Sequence, residues 1–323
     1  MSSEHVFAGI DIGATNIKYG LVDRKGKVLF KEQRPTIVDK GPEPLLHLVA
    51  NIGEKLLFHA AEDDLEVPWL GVGTPGSVDF KTGQVIGMSP NIPGWKGAPV
   101  GEFLRERLNV PVWVDNDVNA VALAEHRFGA GAGYNSLVCV AVGTGVGGGI
   151  ILNGRLWRGS TSAAGEIGHM IIDADGPECG CGNRGCVEAL CASSAIIERC
   201  RARLEHHTTP VFDEILKEDP GGLSIRKIFA AAKKKDSLAL EVIEESARFL
   251  AIGIAGVVNL LNPEVVIIGG GVADGGAGFV EVVSKELRRR VCDSAQEKLR
   301  IVKAALGNSA GFIGAGILGE ERQ

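Results

Sequence analysis

The chain has 323 residues, enough for two domains of ordinary size. Hydrophobic residues make up 45% and charged residues 23%, the balance of a globular protein with a packed core. A net charge of −6 excludes bulk attraction to a polyanion, so no nucleic-acid partner is expected, and the runs Lys233-Lys234-Lys235 and Arg288-Arg289-Arg290 read as solvated helix faces.

The chain opens on a predicted strand at 7–12, a turn at Gly13-Ala14-Thr15-Asn16, and a second strand at 17–22. With no charged n-region or apolar h-region before that strand, no secretory signal is expected, and the protein reads as cytoplasmic. A third strand follows near 28–32. Apolar spacing at Leu45, Leu46, Leu48, Val49, Ile52, Leu56 and Leu57 predicts a helix over 43–62. A buried strand at 69–73 runs into Thr74-Pro75-Gly76. A short helix at 100–108, a strand at 112–114 and an Ala-rich helix at 118–128 follow, the last closed by Gly129. The opening pattern then recurs: an apolar strand at 137–142, a glycine loop at 143–149, a strand at 150–152 and the hairpin turn Asn153-Gly154. That repetition suggests an internal duplication. Beyond a polar, Cys-containing stretch the chain is predicted mainly helical. A long helix at 237–261 stops at Asn262-Pro263, and its interrupted apolar run is too short to span a bilayer, so no membrane partner is expected. A strand at 265–268 ends in Gly269-Gly270-Gly271. A helix at 277–290, a strand at 299–304 and a Gly/Ala-rich helix at 309–319 close an α/β chain.

Two segments, Gly71 to Gly76 and Gly143 to Gly148, match G-x-G-x-x-G. Neither reads as a dinucleotide loop, because each is followed by strand and turn where that motif needs a helix. What remains is a loop set in a hairpin, whose glycines let backbone N–H groups approach a phosphate closely. Thr15 and Thr144 add a hydroxyl to such loops. Asp11 is a carboxylate in an apolar strand, costly unless it meets a cation or donors; it either serves a Mg²⁺-bound water or hydrogen-bonds the turn.

Seven cysteines form no disulfide framework. Three of them, with His169, give H-x9-C-x-C-x4-C: His169, Cys179, Cys181 and Cys186. Three thiolates and an imidazole make a closed tetrahedral Zn²⁺ site, structural because no position is left for water. A redox dithiol would need C-x-x-C, which is absent. His169 ends the segment Gly165-Glu166-Ile167-Gly168-His169, so the metal would orient Glu166 and His169, with Glu188 just beyond Cys186. Carboxylates accept from sugar hydroxyls, and an imidazole N–H donates to them. In Asp115-Asn116-Asp117, between a strand and a helix, one residue either caps the helix or acts as a base toward a hydroxyl attacking a γ-phosphoryl group.

Together DIGATNIK (11–18), Asn116-Asp117-Val118-Asn119, VGTGVGGG (142–149), GEIGH (165–169), CGCGNRGC (179–186) and IIGGG (267–271) resemble the ROK family of sugar kinases, glucokinase-type, over nearly the whole chain. The resemblance implies the actin-like (ribonuclease H-like) ATPase fold, with two α/β domains around a cleft where ATP and sugar meet. It implies a small domain at 1–118 joined by the terminal helix at 307–323, and a large domain at 119–306 carrying the zinc-binding loop. By motif, Asp117 resembles the catalytic base. Gly76, Asn91, Asn116, Asp117, Glu166, His169 and Glu188 resemble the sugar site. Asp11, Gly13, Thr15, Lys18, Thr144, Gly145, Gly269 and Gly270 resemble the nucleotide side. ATP, Mg²⁺ and a structural Zn²⁺ are the implied cofactors, and a homodimer or homotetramer the implied assembly. Ala14 departs from the glycine many members carry, so its loop must avoid positive φ there. Glucose is the expected acceptor. N-acetylglucosamine, N-acetylmannosamine, mannose and fructose remain open, as do donors other than ATP. The family also contains repressors with an N-terminal helix-turn-helix, which is not expected ahead of a strand at residue 7. A non-catalytic sugar-binding regulator is the weaker alternative.

Overall fold

The computed structural model describes residues 5–38, 41–87, 89, 91–219, 221–276 and 278–322. Pro90 in the SPNIPGW segment, Ala277 at the expected start of a helix, and Gln323 lie outside them. The chain divides into two compact units. One comprises Met1–Cys139, Gly149–Gly165 and Ala304–Gln323, the other Val140–Gly148 and Glu166–Lys303.

The first unit is built on a five-stranded sheet. β1 (Phe7–Ile12) and β2 (Asn16–Val22) pair antiparallel, Phe7 opposite Val22 and Ile12 opposite Ile17. β3 (Val28–Pro35) pairs with β2 at the sheet edge and runs further than its apolar pattern predicts. Its extra length is Gln33-Arg34-Pro35, exposed and polar, the composition that keeps an edge strand from pairing onward. α1 (Pro42–Glu62) starts on a proline whose missing N–H costs nothing there, and buries Leu45, Leu46, Val49, Ile52 and Leu56 along one stripe. β4 (Leu70–Thr74) lies parallel to β1. β5 (Val78–Asp79) and β6 (Gln84–Val85) form a small separate hairpin. α2 (Val100–Leu108) leads to β7 (Val112–Asn116), parallel to β4, and then α3 (Asp117–Phe128) begins without a connecting loop. The sheet order is β3-β2-β1-β4-β7.

A second five-stranded sheet contains β8 (Leu137–Val142), β9 (Val146–Leu152), β10 (Arg155–Leu156), β11 (Val265–Gly269) and β12 (Arg300–Lys303) in the order β10-β9-β8-β11-β12. Counted along the chain, both sheets run third, second, first, fourth, fifth. The repeat suggested by two glycine loops therefore extends to the whole strand order. The glycine loop itself is shorter than expected, because Gly147, Gly148 and Gly149 belong to β9.

Helices fill the second unit: α4 (Val187–Cys191), α5 (Ser193–His206), α6 (Pro210–Glu218), α7 (Ile225–Lys233) and α8 (Ser237–Leu261). After β11 comes a short α9 (Gly271–Asp274) that the glycine run concealed. The helix expected at 277–290 is the shorter α10 (Phe279–Arg288), and α11 (Asp293–Gln296) follows. No helix among the described residues is long and apolar enough to cross a membrane.

The chain ends in α12 (Ala310–Gly316), flanked by 3-10 turns at Gly307–Ser309 and Leu318–Arg322, instead of one helix over 309–319. Three glycines in seven residues weaken a long helix but let this short one press into the first unit. A methyl group on Gly71 of β4 would lie 1.7 Å from the Ala315 carbonyl oxygen, and one on Gly314 would lie 1.7 Å from that of Ala120. Backbone meets backbone there, with no side chain able to yield. Gly71→Ala is expected to lower stability by about 1–3 kcal/mol or more. Gly180→Ala, with no atom within 4 Å of its added methyl, is expected to be near neutral. Paired thermal melts check the contrast.

Candidate active site

In the first unit the junction of β7 and α3 divides the work of three polar residues. Asp115 is 1% exposed and accepts from the Asn116 N–H at 2.7 Å, Asn119 Nδ2 at 2.9 Å and Arg158 Nε at 2.6 Å. The Arg158 guanidinium lies 3.7 Å over the Phe80 ring. Asn116 is the helix cap, its Oδ1 accepting from the Val118 and Asn119 N–H groups at 2.9 and 3.1 Å. Its Nδ2 donates to the Gly76 carbonyl at 3.3 Å, where Gly76 turns with φ 87°. Asp117 is the first helical residue, accepting from the Val118 N–H at 2.9 Å and half-buried.

Asp117 stands close to Asp11 at the end of β1. Burial first, and then the neighbouring Asp117 charge, push the Asp11 carboxyl from an ordinary 3.8 up to about 7, with Lys18 opposing them. The Asp11 carboxylate reaches α12, since a methyl on Gly311 would lie 2.3 Å from its Oδ2. Lys18 Nζ donates to Asn308 Oδ1 at 3.3 Å. The turn after β1 is held by Gly13 N–H to the Asn16 carbonyl and Thr36 Oγ1 to the Gly13 carbonyl, leaving Thr15 exposed. Ala14 takes no positive φ among the described residues, as its Cβ requires. Asn91 lies exposed in the turn before Trp95, whose Nε1 donates to Thr74 Oγ1 at 2.7 Å.

In the second unit β8 and β9 are joined by a three-residue turn, Gly143-Thr144-Gly145. Gly143 N–H donates to the Gly145 carbonyl at 2.9 Å, and Thr144 is exposed at its tip. Gly270, following Gly269 at the end of β11, turns with φ 90° so close to β8 that a methyl on it would lie 2.4 Å from the Val142 carbonyl oxygen. The two glycine runs, read separately in sequence, thus end side by side. A cavity of about 350 Å³ adjoins the second, lined by Arg226, Phe229, Lys233, Gly271 and Gly275.

The ligand atoms of His169, Cys179, Cys181 and Cys186 lie within 4.8 Å of one another. Cys179 Sγ is 3.7 Å from His169 Nδ1, and Cys181 Sγ is 3.7 Å from Cys186 Sγ. Four ligands around one Zn²⁺ at ordinary bond lengths stand about 3.6–3.8 Å apart. Without a cation, burial and the adjoining thiols push the Cys186 thiol up to about 12, while the Asn183 backbone N–H draws Cys181 down. The loop closes tightly because Gly182 and Gly185 have φ of 91° and 65°. His169 Nε2 faces away from the sulfurs, 4.0 Å from Glu166 Oε2. Glu188, two residues beyond Cys186, has Oε2 accepting from the Val146 N–H at 2.8 Å and Oε1 4.0 Å from Cys179 Sγ.

Each unit therefore gathers its own share of the expected residues. Asp11, Gly13, Lys18, Gly76, Asn116 and Asp117 share the first, and Thr144, Gly145, Gly270, Glu166, His169, Glu188 and the cysteines the second. Sequence reasoning missed Arg158, whose partner lies 43 positions away. It also missed Glu125, a fully buried carboxylate on α3 that accepts from the N–H groups of Ala130, Ala305 and Leu306. Glu125 follows the apolar run 120–124 and precedes His126 and Arg127, so in sequence it reads as part of a solvated last turn.

A family model described as the ROK family matches residues 7–322. A glucokinase of Thermotoga maritima is 35% identical over 319 residues, 97% of each chain. A ROK family glucokinase from Streptomyces griseus, solved in complex with glucose and AMPPNP, superposes with a TM-score of 0.85 at 33% identity, covering 97% of this chain and 98% of that one. A ROK hexokinase from Thermus thermophilus gives a TM-score of 0.80 at 34% identity over 97% of each chain. The fold is the actin-like ATPase fold of these kinases.

Asp11 makes stability depend on pH. Its folded pKa lies above its unfolded value, so the native state holds a proton that the unfolded chain releases, and stability falls as pH rises from about 4 to about 7. Asp11→Asn is expected to leave the melting temperature of the nucleotide-free protein unchanged near pH 4 and to raise it above pH 7. Melting curves across that range check it; an equal shift at every pH would refute the burial argument.

Proposed function

The chain belongs to the ROK family, and on that premise we propose that it is an ATP-dependent glucokinase, transferring the γ-phosphoryl group of ATP to the 6-hydroxyl of glucose. The observation that carries this reading is the full-length likeness to glucokinases, one of them solved with glucose and AMPPNP.

The geometry fits the chemistry. Asp115 and Asn116 are engaged by the fold, and Asp117 at the start of α3 has the carboxylate suited to take the hydroxyl proton as oxygen attacks phosphorus. Glu166 and Glu188 are acceptors for sugar hydroxyls, and His169 Nε2–H a donor. Mg²⁺ would neutralise charge on the transferring phosphates. Asp11, its carboxyl pushed up to about 7 by burial and the neighbouring Asp117 charge, would gain from a cation, directly or through bound water. A Zn²⁺ held by His169 Nδ1 and the three Sγ atoms fits the donor set and would fix the His169 tautomer with its proton on Nε2.

ADP release measured across a panel of hexoses and N-acetylhexosamines is expected to give glucose the highest kcat/KM. Asp117→Asn is expected to lose roughly 10²–10⁴ in kcat while glucose still binds; kcat near wild type would sink the assignment. Elemental analysis is expected to find one zinc per chain. Cys181→Ala should lose both the metal and glucose affinity, and a zinc-free protein with full affinity would count against a zinc-ordered pocket.

A further inference from the structure

The loop Gly143–Gly145 and Val146, the first residue of β9, are held by residues outside the loop as well as by the loop's own hydrogen bond. Val146 is held at its N–H and at its carbonyl by residues chained to the cysteine–histidine cluster. Its N–H donates to Glu188 Oε2 at 2.8 Å. Its carbonyl lies against Gly168, where an added methyl would come within 2.0 Å of the oxygen. Gly168 immediately precedes His169, and Glu188 is two residues beyond Cys186, so each grip is next to a metal-ligating residue. Gly145 is packed equally closely, since a methyl there would meet Glu188 Oε2 at 2.4 Å. The other end of the loop is tied to the start of α5, which follows the short α4 that carries Glu188: the Ser193 N–H donates to the Gly143 carbonyl at 2.9 Å. With the Gly143 N–H taken by the Gly145 carbonyl and the Val146 N–H by Glu188, the Thr144 and Gly145 amides are those left to meet an anion.

We infer that Glu188 is a positioning residue for the nucleotide loop, and that the cysteine–histidine cluster sets nucleotide affinity through it, as well as ordering the sugar groups. The inference rests on the kinase reading, in which the β8–β9 loop cradles phosphates. The physical reason is preorganisation: a loop fixed before binding does not give up conformational freedom when phosphate arrives. Glu188 acts through a carboxylate-to-backbone hydrogen bond, stronger than a neutral one, with its acceptor placed by the first turn of α4. A negative charge beside a phosphate site is otherwise unfavourable. It is tolerable here because the carboxylate faces the Val146 N–H.

The test is calorimetric titration of AMPPNP with Mg²⁺, without sugar, into the intact protein as wild type, Glu188→Gln and Glu188→Ala. Circular dichroism and zinc content accompany it to show that each variant is folded and metallated. Gln keeps an acceptor oxygen for Val146 and Ala does not. The expected result is a roughly 10-fold or greater loss of nucleotide affinity for Glu188→Ala and a loss within about 3-fold for Glu188→Gln. Glucose titrations should weaken in both variants if Glu188 also accepts from the sugar. Chelator-stripped wild type should lose nucleotide affinity to a similar degree, and stripping Glu188→Ala should add less than stripping wild type, because both act through the same loop. Wild-type nucleotide affinity in folded Glu188→Ala, or equal losses in the Ala and Gln variants, would overturn the inference. Failure of the wild type to bind AMPPNP at all would instead overturn the kinase reading beneath it.

Discussion

A buried carboxylate has to be answered where it sits, and the answer to Asp115 shapes the site around it. At 1% exposure its charge is affordable only with the Arg158 guanidinium at 2.6 Å and two further donors. The Asn116 N–H and the Asn119 amide are both committed to it, so it fixes the backbone at the end of β7 and the first turn of α3 together. Asn116 is then free to cap the helix, and Asp117 falls at the first helical position with its carboxylate beside Asp11. The ion pair need not be a net source of stability. Its effect is to permit one arrangement of Asp115-Asn116-Asp117 and to make others leave a charge unpaired.

The same rule operates with a different partner at other carboxylates that the fold encloses wholly or in part. Glu125 is answered by three backbone N–H groups, two of them from the chain returning toward α12, so α3 is tied to the segment that leads into the terminal helix. Glu188 is answered by Val146. Asp11 is less well compensated: burial and the Asp117 charge outweigh Lys18, and its carboxyl is pushed up to about 7. Under-compensation fits the proposed role of Asp11 toward Mg²⁺. A carboxylate fully satisfied by the fold would have nothing to offer a cation, and one pushed up toward neutrality gains the most from its arrival.

What was legible in the sequence follows the range of the forces involved. The two strand–glycine loop–strand units were visible because their signals are local, a few apolar residues ending at a Gly run. The cysteine–histidine cluster was visible because three of its members crowd into eight residues. The short α9 was hidden because Gly269-Gly270-Gly271 reads as a turn, though Gly270 supplies that turn and Gly271 starts the helix. Arg158 carried no local mark: an Arg after Leu156-Trp157 is an ordinary surface residue until the fold brings Asp115 to it. The bond from Glu188 to Val146 was equally invisible, since a carboxylate near a metal loop reads as a ligand for something outside the chain.

That last case shows how the parts of the second unit depend on each other. The cluster reads in sequence as a closed metal site that orients the polar residues beside it. In space two residues next to it in the chain, Gly168 and Glu188, close on Val146 where the β8–β9 turn enters β9, and that contact needs Gly at 168 because a side chain would strike the Val146 carbonyl. The glycine in GEIGH therefore answers to packing on the β8–β9 turn, while the flanking Glu166 and His169 present polar groups 4.0 Å apart. Five residues thus satisfy two demands at once, a close backbone approach and a placed pair of hydrogen-bonding groups. A substitution at Gly168 would disturb the second by way of the first.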